Sequence, residues 1–399
     1  MTSCHACGSK TVEQLIDVGR QPICNRFLSD AAAPQYSYPM VVGQCDACRL
    51  VQISDPVPAR EVLPRFDWIT YNEPEPHLDA VVERIARLPG VGKASRICGV
   101  SFKDDSTLAR FERLGFGNTW RIDPAADLGI REAGIGVETI QDRLTPQTAA
   151  RLREKRGVSD VVIVRHIVEH AHDLRGFMAA LKGLVSPTGY VVLEAPDCER
   201  AFERHEFTTL WEEHIVYFTP ETYRRTLANC GFALVDFVVY PYPFENSLVA
   251  IARPDERAVR AAASPAPAAE RARFHKFAQA LPEYGEKIRR YLEDYRRRHG
   301  KIALFGAGHL AATYVNIFRL TPLVEFVVDD NPNKQGMFMP GSALPIRGSA
   351  ALVEENIKLC LLGLSPQSED KVVAKQGRFV ERGGTFASIF ATSARALPV

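Results

Sequence analysis

Two cysteine pairs, Cys4-x-x-Cys7 and Cys45-x-x-Cys48, constrain this chain more than any other feature. A two-residue spacing lets one turn offer two thiolates, and two such knuckles close a tetrahedron around a single zinc ion. Cys4, Cys7, Cys45 and Cys48 are therefore read as ligands of a structural zinc. Four protein ligands leave no position for water, so a catalytic zinc is not expected there. The 37 residues between the knuckles can fold back and join the pairs without a large core of their own. The other cysteines, Cys24, Cys98, Cys198, Cys230 and Cys360, lie singly and suggest no disulfide scaffold. A reducing cytoplasm fits this usage.

At 399 residues the chain exceeds what one hydrophobic core serves, which predicts two or three domains. With 49 basic and 48 acidic side chains it carries no global field for nucleic acid or an anionic membrane. The start lacks a basic segment followed by an apolar stretch, and no apolar run is long enough to span a bilayer. Neither secretion nor membrane insertion is expected.

Short apolar runs at 96–100, 119–123, 160–164 and 190–194 alternate with helical stretches, the first of which starts at Leu78. That alternation predicts an α/β fold with a doubly wound parallel sheet. The segment 255–269, rich in Ala, Pro, Arg and Glu, reads as a linker. Beyond it Phe274, Phe277, Leu281, Tyr284, Ile288, Tyr291 and Tyr295 recur at steps of three and four, the stripe of a long helix that Pro282 is expected to bend. A second α/β unit then opens: a strand at 301–305, the turn Gly306-Ala307-Gly308, a helix from Leu310 and a strand ending at Asp329. Strand, glycine turn, helix and acidic strand tip form half of a nucleotide-binding fold. The expected organisation is a zinc-binding module over 1–65, a Rossmann-like domain over 66–254, a linker and amphipathic helix over 255–298, and a C-terminal Rossmann-like domain over 299–399.

Open parallel sheets bind ligands beyond the carboxyl ends of their strands. Gly99 ends the first central strand, Asp123 the second, and Arg165-His166-Ile167 the third. Asp123 is placed either to accept the hydrogen bonds of a ribose diol or to cap the next helix. His166, His170 and His172 crowd one stretch, but no regularly spaced Asp or Glu shell accompanies them, so they are not read as metal ligands.

Taken together, the four-cysteine module, Gln21-Pro22-Ile23-Cys24-Asn25-Arg26-Phe27-Leu28, Ile122-Asp123-Pro124-Ala125, Val168-Glu169-His170, Glu213-His214-Ile215-Val216-Tyr217-Phe218 and the run from Val327 to Gly336 resemble the three-domain sugar C-methyltransferases. The resemblance spans nearly the whole chain. It implies a central class I methyltransferase domain that uses S-adenosylmethionine to methylate a carbon beside the ketone of a nucleotide-linked 4-keto-deoxysugar. It also implies Cys4, Cys7, Cys45 and Cys48 as zinc ligands, and Gly99, Ser101, Asp123, Arg165 and His166 as cofactor-side residues. His214 becomes the general base, with Glu213 to orient it and Tyr217 to contact substrate. Tyr71, His77, Trp211, Asn246, Gly306 and Gly308 are the implied substrate side. An imidazole titrating near neutrality suits removal of a proton beside a ketone. The expected partner is a small molecule, bound by a monomer or small homo-oligomer.

The chain departs from this family in places. The glycine-rich cofactor loop reads Cys98-Gly99-Val100-Ser101-Phe102-Lys103-Asp104-Asp105-Ser106, and Trp211 stands where the family has a tyrosine. Two other readings stay open: a nucleotide-sugar binding or assembly protein that no longer methylates, and an NAD(P)-dependent oxidoreductase using Gly306, Gly308 and Asp329.

Overall fold

The computed structural model describes residues 3–66, 68–69, 73–131, 135–261 and 266–398; Tyr71 lies outside them. The chain divides into two compact units whose pieces alternate in sequence. The first comprises Met1–Gln14, Val42–Glu199 and Glu213–Arg271, and the second Leu15–Val41, Arg200–Glu212 and Ala272–Val399.

A sheet of order β1-β2-β3-β8 contains β1 (Val12–Pro22), β2 (Ser37–Cys45), β3 (Val51–Ile53) and β8 (Val216–Tyr217). The division between units falls within β1 and within β2. In the first unit β3 pairs antiparallel with both β2 and β8, with Val51 opposite Tyr217.

The main sheet of the first unit has the order β5-β4-β6-β7-β10-β9. Its strands are β4 (Ile97–Gly99), β5 (Thr119–Arg121), β6 (Ser159–Arg165), β7 (Val185–Asp197), β9 (Phe232–Tyr240) and β10 (Asn246–Pro254). β5, β4, β6 and β7 run parallel, while β10 inserts antiparallel between β7 and β9. Val161, Val162, Ile163 and Val164 on β6 and Val191 and Leu193 on β7 are buried from both faces, as a sheet covered on two sides requires. Cys4, Cys45, Cys48 and Leu50 belong to the same buried cluster as Val162, Phe177 and Leu181. The cysteine module is thus built onto the core of the first unit.

The second unit carries a parallel sheet of order β13-β12-β11-β14-β15. Its strands are β11 (Ile302–Phe305), β12 (Val327–Val328), β13 (Ile346–Arg347), β14 (Leu359–Leu362) and β15 (Thr385–Ser388). The helix Ala268–His299 runs through Pro282, and its aromatic stripe packs Phe274 on Phe202 at 5.2 Å and Phe277 on Phe207 at 4.5 Å between ring centroids. Among the described residues no helix is long and apolar enough to cross a membrane.

Candidate active site

The four knuckle sulfurs come together. Cys4 Sγ lies 3.5 Å from Cys48 Sγ and Cys7 Sγ lies 3.6 Å from Cys45 Sγ, and all four atoms fall within 4.8 Å of one another. A tetrahedral zinc with Zn–S bonds of about 2.3 Å sets its sulfurs about 3.8 Å apart. The donor set and its spacing fit zinc, which would tie the two knuckles together.

At the carboxyl end of β4 the chain turns into a short 3-10 helix, Phe102–Asp104, capped by Ser101. Asp104 is fully buried beneath this turn: its Oδ2 accepts the backbone N–H of Val100 and of Ser101, both at 2.8 Å, and its Oδ1 accepts that of Arg165 at 3.0 Å. Gly99 makes room for it, since a Cβ there would stand 2.9 Å from Asp104 Cβ. Burial pushes the Asp104 carboxyl up to about 7, against the pull of those N–H groups and of Arg165. The turn that sequence reading treats as a degenerate glycine loop is therefore ordered by its own acid.

Arg165 and His166, at the end of β6, meet Glu194 on β7. Arg165 Nε donates to Glu194 Oε2 at 2.6 Å, and its Nη1 to the Lys103 carbonyl at 2.7 Å. Glu194 Oε1 lies 3.1 Å from His166 Nε2 and 2.9 Å from His77 Nε2, and accepts the Ser247 hydroxyl at 2.6 Å. Although burial resists its ionisation, His166, His77 and Arg165 hold Glu194 well below the usual carboxylate range. His166 takes a left-handed backbone, φ 48°, a conformation costly for a non-glycine residue and kept where surrounding contacts over-determine it. Burial opposes its charge, yet Glu73, Glu194 and Glu169 outweigh that and raise the imidazole to about 10. His77 also holds Tyr242 Oη at 2.7 Å through Nδ1, and Asn246 donates to Asp197 at 3.0 Å.

Asp123, beyond β5, is exposed and uses Oδ1 to accept the Ala126 N–H at 2.7 Å, so one oxygen has the local turn role foreseen as its alternative. An acid at this strand tip is of the kind that accepts the hydroxyls of a ribose diol, as S-adenosylmethionine has, while the oxygens of Asp104 and Glu194 are taken by protein donors.

Next to this network lies a second cluster. Glu138, on the helix Val137–Arg143, brings Oε1 within 3.3 Å of His170 Nδ1, while Glu169 Oε1 lies 3.5 Å from His166 Nδ1 and 4.0 Å from His170 Nε2. Nitrogen and oxygen atoms of Glu138, His170 and Glu213 fall within 4.8 Å of one another, as do those of Glu169, His170 and His214. The His170 and His214 rings meet edge to face, centroids 4.8 Å apart, and Tyr217 stands 6.5 Å from His214. His214 is half-buried, and Tyr217 is 1% exposed. Burial and the neighbouring His214, Lys103 and His166 keep His170 neutral, well below the usual imidazole range. The acidic shell that the spacing of the histidines did not reveal is thus present. Glu138 reaches it from a helix some thirty residues earlier, and the sequence signal was confined to Glu169-His170 and Glu213-His214.

The remaining substrate-side candidates belong to the second unit. Trp211 stacks on His309 at 4.2 Å and 19°, beside the turn containing Gly306 and Gly308. Glu212 accepts the Cys24 backbone N–H at 2.5 Å and its thiol at 3.2 Å, and burial raises its carboxyl to about 6. Asp329 accepts the Ala307 N–H at 3.0 Å and Lys334 Nζ at 2.9 Å on Oδ2, and the Asn331 N–H at 2.9 Å on Oδ1. These bonds occupy the carboxylate that an NAD ribose would need, against the oxidoreductase reading.

Three family descriptions match the chain in order: a putative zinc binding domain over residues 4–62, a methyltransferase domain over 82–236 and a C-methyltransferase C-terminal domain over 252–390. The chain is similar to the C-methyltransferase NovU of Streptomyces niveus, 22% identical over 96% of this chain and 94% of that one. Among solved structures, it is similar to an O-methyltransferase family protein from Burkholderia thailandensis (15% identity, 44% of this chain, 56% of the other, TM-score 0.28). A second is the 1,6-didemethyltoxoflavin-N1-methyltransferase of the same organism (13% identity, 45% of this chain, 77% of the other, TM-score 0.30).

Proposed function

We propose that this chain, which belongs to the C-methyltransferases built from a zinc-binding part, a methyltransferase domain and a C-methyltransferase C-terminal domain, methylates a carbon beside the ketone of a nucleotide-linked deoxysugar. The observation that carries the reaction class is the similarity to the C-methyltransferase NovU along nearly the full length of both chains, and the substrate class is supported by the motif order described above. S-adenosylmethionine, when bound, supplies a methyl group already activated by the charge on sulfur, which leaves the protein to align the reactants and move one proton.

In this reading His214 removes the proton beside the ketone, and its half-buried position lets it face substrate while leaning on the cluster behind. The His170 ring edge fixes its plane, and Glu169, within 4.8 Å, stabilises the imidazolium that forms. Glu213 orients the base, and Tyr217 helps define the pocket wall. Gly99, Ser101, Asp123, Arg165 and His166 hold the cofactor side, while His77 and Asn246, in the same unit, serve the sugar nucleotide. A cytoplasmic enzyme is part of the proposal, in keeping with four thiols kept reduced for zinc.

The test is methyl transfer to nucleoside-diphosphate 4-keto-deoxysugars, followed by mass spectrometry. His214→Ala should lower turnover about a hundredfold or more while S-adenosylhomocysteine still binds. Undiminished turnover removes His214 from its role. Failure of every such sugar with cofactor binding intact removes the substrate class, and absence of cofactor binding favours the non-methylating reading.

A further inference from the structure

The carboxylates of Glu138, Glu169 and Glu213 are 5%, 1% and 2% exposed, and all approach one imidazole, His170. Buried carboxylates need a compensating proton or cation. Of the nearby cationic groups, Arg165 pairs with Glu194, Lys103 with Glu73 at 3.0 Å, and His166 is shared between Glu194 at 3.1 Å and Glu169 at 3.5 Å, while Glu138 faces His170 Nδ1 at 3.3 Å. Glu169 Oε2 is buried and accepts no hydrogen bond. Glu138 folds its carboxylate back over Gly136, where a Cβ would stand 2.3 Å from Oε2.

We infer that Glu138, His170 and Glu213 form a binding site for a divalent first-row cation, distinct from the cysteine-bound zinc. Two carboxylates and an imidazole are ligands that Mn2+, Fe2+ and Zn2+ accept, and three protein ligands leave positions open for water or a substrate oxygen. His170 Nδ1, facing Glu138, is the nitrogen that binds. Its Nε2 lies 4.0 Å from Glu169, beyond hydrogen-bond reach, so Glu169 acts there only as a neighbouring charge. A cation here lies beside His214, where it would attract the oxygen of a ketone; the binding site itself does not depend on His214 acting as a base.

The probe is Mn2+, titrated into the zinc-loaded full chain and followed by loss of the free-ion EPR signal. The wild type should take up one equivalent beyond its zinc. Glu138→Gln and His170→Gln should each weaken uptake at least about tenfold, and Glu138→Asp should recover part of it. Gly136→Ala, which displaces the Glu138 carboxylate without touching a ligand, should weaken it as well. Unchanged zinc content and thermal midpoint in these variants separate a local loss from misfolding. The inference falls if the folded wild type takes up no Mn2+, which would leave a proton shared by Glu138 and Glu213 as the occupant. It falls equally if the variants bind as the wild type does.

Discussion

After β4 the chain turns at Gly99 and closes on Asp104, an acid from the turn itself; after β11 it turns at Gly306 and closes on Asp329, from the tip of the neighbouring strand β12. Each acid satisfies backbone amides that a nucleotide-binding turn would otherwise offer to a phosphate. They differ in setting. Asp104 is 0% exposed and accepts three backbone N–H groups, whereas the Asp329 side chain is 17% exposed and shares its charge with Lys334. The same strand-turn-helix pattern thus encodes a rigid, internally satisfied turn in one unit and a solvent-touched one in the other.

Replacement of the two acids should sharpen that contrast. Asp104→Ala leaves the buried N–H groups of Ser101 and Arg165 without this acceptor, Val100 keeping the Ile163 carbonyl at 3.2 Å, and should cost about 3 kcal/mol in urea unfolding. A cost under about 1 kcal/mol would mean that the turn re-forms around water and is not rigid. The pH dependence comes next. Because Asp104 keeps its proton up to about 7 in the folded protein and to 3.8 in its unperturbed state, its contribution is fully present below pH 3.8 and lost as pH rises through about 7. Wild-type stability should therefore fall across that window more steeply than that of Asp104→Asn; equal slopes would show that the acid is ionised throughout. Asp329→Ala should cost only about 2 kcal/mol, since of the two freed amides only that of Ala307 is buried, while Asn331 is part-exposed. Lys334→Ala, which removes one partly exposed ion pair, should cost about 0.5 kcal/mol.

β6, β7 and β11 were legible because they are apolar on both faces and stand out as short runs, whereas β14, equally apolar, was passed over. The closing acids were not legible. Asp104 was given no role inside a loop read for its departure from the glycine-rich pattern, because nothing in a linear reading says that its side chain folds under Gly99. Asp329 entered one alternative reading as the acid of a dinucleotide site because an acidic strand tip looks the same whether it faces a ligand or the adjacent turn. In the candidate site, His214 and Glu213 were singled out from a local motif and Arg165 and His166 from the end of a strand. Glu138 and Glu194 were missed: their roles arise only when a helix and β7 are packed beside β6, a long-range fact with no periodic signature. The segment 255–269 was legible as a change in composition, but the passage of the chain from one unit to the other within β1, within β2 and between Glu212 and Glu213 left no such mark.

That alternation of pieces sets an order on biosynthesis. When residue 271 has left the ribosome, every piece of the first unit exists, while the second still lacks 272–399. At 5–20 residues per second those last residues take roughly 6–25 s to make. During that interval Ile23, Phe27, Phe202 and Phe207, all buried in the finished protein, are held in the early pieces without the helix and sheet that will cover them. A stop codon anywhere in the last third of the gene would strand these side chains in the same way, so a shortened product would expose a sticky surface rather than a spare, self-sufficient enzyme.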